Sequence, residues 1–150
     1  MRRHWSRKRN AKRGTATVEL AVAGITLLLL TLGAADFGRI FYHAVELANA
    51  AGTGAFYGAQ SNVSSGAFLQ MQQAAKSDAA DLKGITATAG RYCDCPDGTR
   101  VDCTSGSCPN YRAPRIYVST QVQENFQPLV SYPGIPGSVL VGRKAYMRVQ

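Results

Sequence analysis

Gly14-Thr15-Ala16-Thr17-Val18-Glu19-Leu20-Ala21-Val22-Ala23-Gly24-Ile25-Thr26-Leu27-Leu28-Leu29-Leu30-Thr31-Leu32-Gly33-Ala34-Ala35-Asp36 is the stretch that decides the fold. From Ala16 to Ala35 it holds twenty residues with one charge, Glu19. A helix of that length spans about 30 Å, the thickness of a bilayer's hydrocarbon core. The segment is therefore expected to cross a membrane.

Its flanks give the expected orientation. Arg2, Arg3, Arg7, Lys8, Arg9, Lys12 and Arg13 carry seven of the chain's seventeen positive charges, and the formal net charge is +8. The rest of the chain holds ten basic and nine acidic residues, so nearly all the excess sits in the leader. A basic tail joined directly to an apolar run, without stacking aromatics, marks a cytoplasmic flank rather than a nucleic-acid site. On the other side Asp36 ends the apolar run, and Phe37, Phe41 and Tyr42 follow at the level of a headgroup layer.

Three readings of the segment compete. An uncleaved anchor explains the hydrophobicity and charge bias but gives Glu19 and Gly14 no role. A secretory signal would use Leu20 to Leu32 as its apolar core and Gly33-Ala34-Ala35 as a cleavage site before Asp36, releasing a soluble protein. The third starts from the carboxylate, which near the start of a membrane helix costs about 1–3 kcal/mol unless it finds a partner. Such a residue calls for a cation.

Gly14-Thr15-Ala16-Thr17-Val18-Glu19 resembles a prepilin leader: a glycine after basic residues and a glutamate at the fifth position after it. The resemblance implies that a membrane-embedded prepilin peptidase cuts between Gly14 and Thr15, leaving the apolar helix on the mature chain. The new α-amino group of Thr15 would then be a cation for Glu19, most simply the Glu19 of a neighbouring subunit, in a low-dielectric helix bundle. The bland alternative is a carboxylate favouring the positive end of a helix dipole, worth about 0.3–1 kcal/mol.

Gly14 to Ala21, the apolar run and Asp36-Phe37-Gly38-Arg39 together resemble the TadE-like family of minor pilins and pseudopilins of tight-adherence, Flp-type pili. Members commonly carry phenylalanine or tyrosine after the glutamate, where this chain has Leu20. Phe126-Gln127-Pro128-Leu129 and Ala145-Tyr146-Met147-Arg148-Val149 resemble the family's final strands. The resemblance implies roles in adhesion and pilus assembly. Its implied partners are prepilin peptidase, other pilin subunits, an inner-membrane assembly platform and membrane lipid. No nucleic acid, small-molecule substrate, cofactor or metal is implied.

Beyond Asp36 the helix is expected to continue to about Gly58, with Phe37, Ile40, Phe41, Ala44, Leu47, Ala48 and Ala51 at three- and four-residue steps. Gly52, Gly54 and Gly58 permit close backbone approach, most simply to the chain's own domain. Asp36 and Arg39, three apart, are placed to pair on the helix surface. Asn62 to Gly66 reads as a loop, and Ala67 to Leu82 as a second amphipathic helix ended by Gly84. Ile85 to Tyr92 reads as a weak strand. Ile116, Val118, Thr120 and Val122, then Val139, Val141, Ala145, Met147 and Val149, alternate as half-buried antiparallel strands. Pro128, Pro133 and Pro136 keep the connection between them out of the sheet.

The expected class is α+β: a long N-terminal transmembrane helix running into a small pilin-like domain with a second helix and a three- to four-stranded antiparallel sheet. The expected layout is a basic cytoplasmic leader at 1–14, a spanning and projecting helix at 15–60, and a periplasmic or extracellular domain at 61–150 with a cysteine loop at 93–108.

All four cysteines, Cys93, Cys95, Cys103 and Cys108, fall in that loop. An even, clustered set after a membrane-targeting segment points to disulfides in an oxidising compartment. Cys93-Asp94-Cys95 lacks the spacing of a zinc knuckle, and no Cys-x-x-Cys pair opens a helix as redox catalysis prefers. Cys93 and Cys95, on the same face of a strand, are expected to pair with Cys103 and Cys108, in an order that spacing leaves open. The two histidines, His4 in the leader and His43 on the helix, form no hydrolytic motif, and His43 reads as an interfacial polar residue. The chain is therefore read as a non-enzyme. The rival reading is a secreted or anchored periplasmic cysteine-bridged module, in its redox version a thiol protein, whose N-terminal third serves only for targeting.

Overall fold

The computed structural model describes residues 11–109, 112–131, 134 and 136–149, with side chains from Gly14 onward. Arg2, Arg3, His4, Arg7, Lys8 and Arg9 of the leader, the side chains of Lys12 and Arg13, and Pro133 lie outside the described residues. The chain divides into two compact units, Met1–Gly38 and Arg39–Gln150.

Helix α1 runs Ala11–Ala59, 49 residues without an interruption. No proline occurs before Pro96, so every residue of this stretch keeps its backbone donor, and alanine and leucine outweigh the helix cost of its glycines. Asp36 lies within the helix and is buried, at 7% exposure.

In the second unit, α1 buries one face: Ala44, Leu47, Ala51, Ala55 and Ala59 recur at three- and four-residue steps and are all buried. A short 3-10 turn, Ser64–Gly66, occupies the segment expected as a loop, held by Ser65 N–H donating to Ser61 O and by Ser65 Oγ donating to Asn62 O. Helix α2 is Phe68–Asp78, shorter than the pattern suggests. Ala79 leaves helical dihedrals at φ −106° and ψ 43°, and Leu82 reaches the core through a turn in which its N–H donates to Ala79 O. Hydrophobic spacing alone therefore overran the helix by one turn. Gly84, at φ 74°, then redirects the chain into the sheet in a conformation that favours glycine.

The strands are β1 Thr86–Asp94, β2 Arg100–Val101, β3 Arg115–Phe126 and β4 Val139–Arg148. They form one antiparallel sheet in the order β2-β1-β3-β4. β2 was not expected, because a two-residue strand carries no readable alternation. Register places Val118 opposite Arg91 and Met147, and Phe126 opposite Val139 at the end of β3. Val118, Val122 and Phe126 point inward with Ala87 and Val141. They close two adjoining clusters with Leu47, Met71, Ala75 and Leu82. Helices on one face of an antiparallel sheet make an α+β architecture, matching the class read from the sequence.

Gly54 and Gly58 set the distance between α1 and its neighbours. A Cβ at Gly54 would lie 2.7 Å from Thr120 Cγ2 and 2.8 Å from Met71 O, and one at Gly58 would lie 2.6 Å from Met71 Sδ. Gly52 differs, since a Cβ there meets nothing.

Candidate functional site

Within the first unit, α1 presents its apolar side chains outward. Leu20, Val22, Ile25, Leu28 and Leu30 are exposed, Leu20 at 73%. Threonine hydroxyls in the run are satisfied by the helix itself: Thr17 Oγ1 donates to Gly14 O, Thr26 to Val22 O and Thr31 to Leu28 O. Backbone and hydroxyl donors satisfied internally are the condition for residing in hydrocarbon. This is the one described helix long and apolar enough to cross a membrane.

Gly14, Thr15 and Glu19 all lie on this helix and are exposed. Thr15 and Glu19, four residues apart, share a face about 6 Å apart along the axis. A cation created at Thr15 would thus sit one turn from a carboxylate of its own helix, and both would be presented to anything packed against that face.

At the far end of β1 the cysteine loop is closed by two disulfides, Cys93–Cys103 and Cys95–Cys108, with Cα separations of 5.2 and 5.5 Å. All four cysteines are used, so no thiol remains for redox chemistry in this state. Cys93 also pairs across the ladder with Val101, and Cys95 N–H donates to Thr99 O, so covalent and backbone links hold the same turn. Inside the loop, Asp102 Oδ1 accepts from the Thr104 hydroxyl and from the Ser105 and Thr104 amides. Those bonds, the Thr104 hydroxyl first, hold the Asp102 carboxyl far below the usual carboxylate range. Asp97 is lowered more mildly, chiefly by the Thr99 amide.

The outer face of the sheet carries Tyr92 stacked on Tyr117, ring centroids 5.2 Å apart, with the Arg100 guanidinium 4.4 Å from the Tyr92 centroid. The Lys144 ammonium lies 5.0 Å from the Tyr146 centroid. These rings pack against one another and against cations, an arrangement that stabilises cross-strand pairs.

His43 is no bare interfacial residue. Its Nδ1–H donates to Glu124 Oε1 at 2.5 Å, and its ring meets Phe126 edge-on at 5.3 Å. Beside this pair lies a cavity of about 580 Å³ bordered by Arg39, Tyr42, Asp81, Lys83 and Gln127. The Tyr42 hydroxyl donates to Asp81 Oδ2 at 3.2 Å, and that bond, with the charge of Asp81, raises the tyrosine's pKa. Glu124 shares the inward parity of Val118 and Val122, yet alternation counts apolar residues and passes over a buried acid. Among the described residues no group of three His, Cys, Asp or Glu side chains gathers as metal ligands would.

The chain is thus a helix-anchored α+β protein with a disulfide-closed loop. Its first segment matches a known family: the TadE-like protein model covers residues 14–55, which include Gly14 to Ala21 and Asp36 to Arg39 of the resemblance noted from the sequence. The match takes in Gly14, Thr15, Glu19 and the apolar run and continues into the part of α1 packed on the sheet. It ends before the final strands, so the likeness at 126–129 and 145–149 lies outside it. No curated protein and no solved structure matches the chain. The family match supports a pilin-like role associated with the Tad pilus, and the apolar helix supports membrane anchoring.

Proposed function

We propose that the protein is a minor pilin or pseudopilin of a Tad/Flp-type adhesive pilus and that it catalyses no reaction. The chain inserts through the inner membrane with its leader in the cytoplasm and the disulfide-bonded domain in the periplasm. Prepilin peptidase trims it between Gly14 and Thr15. The exposed apolar helix then exchanges lipid contacts for contacts with other pilin subunits at the assembly platform, with Glu19 setting register against an α-amino group.

The observation behind this reading is Glu19, the single charge of a twenty-residue apolar stretch, one helical turn beyond Thr15 and within the TadE-like match. A secretory signal cut after Ala35 would instead sever α1 inside a continuous helix, removing the matched segment as far as that residue. Sequencing the N-terminus of the protein purified from its native membrane tests the proposal. Thr15 is expected. A mature chain beginning at Asp36, or one that keeps its arginine-rich leader, overturns it.

A further inference from the structure

Successive residues of a strand point to opposite faces of a sheet. With Val118 and Val122 in the core, Tyr117, Ser119 and Gln121 of β3 therefore face away from the helices. Register then maps the rows that cross this outer face. Asp94 lies between Arg100 of β2 and Arg115 of β3. Tyr92, Tyr117 and Arg148 form the next row. Gly90, Ser119 and Tyr146 follow, and then Thr88, Gln121 and Lys144.

These rows carry four cations, Arg100, Arg115, Lys144 and Arg148, against one carboxylate, Asp94, an excess of three positive charges. All four cations are exposed, and Asp94 already has the Arg100 Nε at 3.6 Å from its Oδ1. Along β4 the outward order is Lys144, Tyr146, Arg148, at steps of about 7 Å, which places a cation on each side of a ring that is 56% exposed. Beside the rings stand the hydroxyls of Thr88 and Ser119 and the amide of Gln121, and no aliphatic side chain occurs on the four rows.

We infer that the outer face of the sheet binds an acidic polysaccharide, a chain that carries carboxylates among hydroxyls. The charge excess attracts a polyanion, and the exposed guanidinium of Arg148 offers the planar fork that pairs with a carboxylate. Thr88, Ser119 and Gln121 supply donors and acceptors for sugar hydroxyls, while the Tyr146 ring takes the apolar C–H face of a sugar. An acidic protein fits less well, because the rows lack the aliphatic part of a dry interface core. Single-stranded nucleic acid is held by bases stacked on open rings. Tyr92 offers no such ring face, since Arg100 covers it from the β2 side at 4.4 Å and Tyr117 stacks on it from the β3 side at 5.2 Å. This inference goes beyond the pilin reading and does not depend on it.

The test uses the full chain in nanodiscs of phosphatidylcholine alone, titrated into fluorescently labelled oligomannuronate and read by anisotropy. Binding is expected, and Arg148→Gln and Tyr146→Ala are each expected to weaken it about fivefold, as truncated arginine and tyrosine anchors do. Arg143→Gln is the matched control. It removes the same charge from the same strand, but Arg143 lies opposite the inward Val122 and so alternates to the other face. It is expected to weaken binding by less than about twofold. The leader's cations are common to all three variants, so the differences report the sheet. Each replaced side chain is exposed, and unchanged thermal unfolding checks that the fold is kept. Absence of binding overturns the inference, as do equal losses from Arg143→Gln and Arg148→Gln. Polyglutamate of the same charge binding as tightly as oligomannuronate would reduce the face to its charge and equally overturn it. Tighter binding of oligodeoxythymidylate, weakened by Tyr146→Ala, would assign the face to nucleic acid instead. None of these measurements depends on trimming at Gly14, so the pilin reading stands or falls separately.

Discussion

His43 on α1 and Glu124 on β3 are 81 residues apart in sequence and joined by a 2.5 Å hydrogen bond, with the Glu124 side chain 4% exposed. The pair ties the helix to the sheet at the end where the chain enters the domain. A buried carboxylate that loses its donor keeps its full desolvation cost. His43→Ala is therefore expected to destabilise the domain by about 2–4 kcal/mol, and the change of Glu124 to Leu in the same chain to recover much of that loss. Chemical denaturation of the detergent-solubilised chain, followed by near-ultraviolet circular dichroism, checks both. Equal stability of His43→Ala and the unaltered protein would show that Glu124 has another donor.

Close approach of α1 to its neighbours makes a second contrast along one helix. Gly54 faces Thr120 and the Met71 carbonyl with no room for a methyl group, whereas Gly52 faces open space. Gly54→Ala must move backbone or Thr120 and is expected to cost about 1–3 kcal/mol. Gly52→Ala only gains helix propensity and is expected to stabilise by up to about 1 kcal/mol. Thermal unfolding of the two variants should move in opposite directions.

What the sequence made legible follows from what its patterns measure. Nineteen uncharged positions around Glu19 identify the spanning segment, and the alternation from Ile116 to Val122 identifies a central strand, because burial acts on every second residue there. The second helix was overrun because Leu82 is buried through a turn, and periodicity does not distinguish a buried turn residue from a helical one. β2 was passed over because two residues, Arg100 and Val101, hold no period. Cysteine spacing showed that Cys93 and Cys95 need partners, but their assignment to Cys103 and Cys108 depends on how the loop folds back along β1. The His43–Glu124 pair was illegible because nothing local links residues so far apart.

The two disulfides close loops of similar size, with sequence separations of 10 and 13. Replacing Cys93 and Cys103 by serine is expected to cost about 2–4 kcal/mol. Amide protection should fall first at Val101, whose strand residue pairs with Cys93. Protection falling first in β4 would mean that the loop is not the least stable part of the sheet.

Asp102 gives the loop a pH dependence with a definite sign. Its carboxyl is held far below the ordinary value by the Thr104 hydroxyl and the Ser105 and Thr104 amides. A lowered folded pKa means the contribution is complete above the unfolded value of about 3.9 and is lost as pH falls through the folded one. Exchange of the Thr104 and Ser105 amides should therefore accelerate, relative to a chain carrying Asp102→Asn, as pH drops below about 4. The variant itself should show no such dependence. Parallel profiles for the two proteins would remove Asp102 as the cause.

Glu19 and Gly14 separate processing from assembly. Gly14 lies next to the bond proposed to be cut, so Gly14→Arg changes what the peptidase must accommodate and is expected to leave full-length precursor in the membrane. Glu19 is one helical turn further on, and its loss removes the only charge of the apolar stretch without altering that bond. Glu19→Ala should thus be trimmed normally. It should also sit at least as stably in lipid, because an acid near a helix end costs about 1–3 kcal/mol there. What it lacks is the partner for an α-amino group, so its incorporation into filaments should fall about tenfold or more, corresponding to the loss of one charge pair of about 1.4 kcal/mol. Glu19→Asp, which keeps the charge on a shorter side chain, should recover part of the incorporation. Immunoblots of membrane and sheared-filament fractions read trimming and assembly separately. Wild-type filament yield from Glu19→Ala would leave the carboxylate with no more than a helix-end preference.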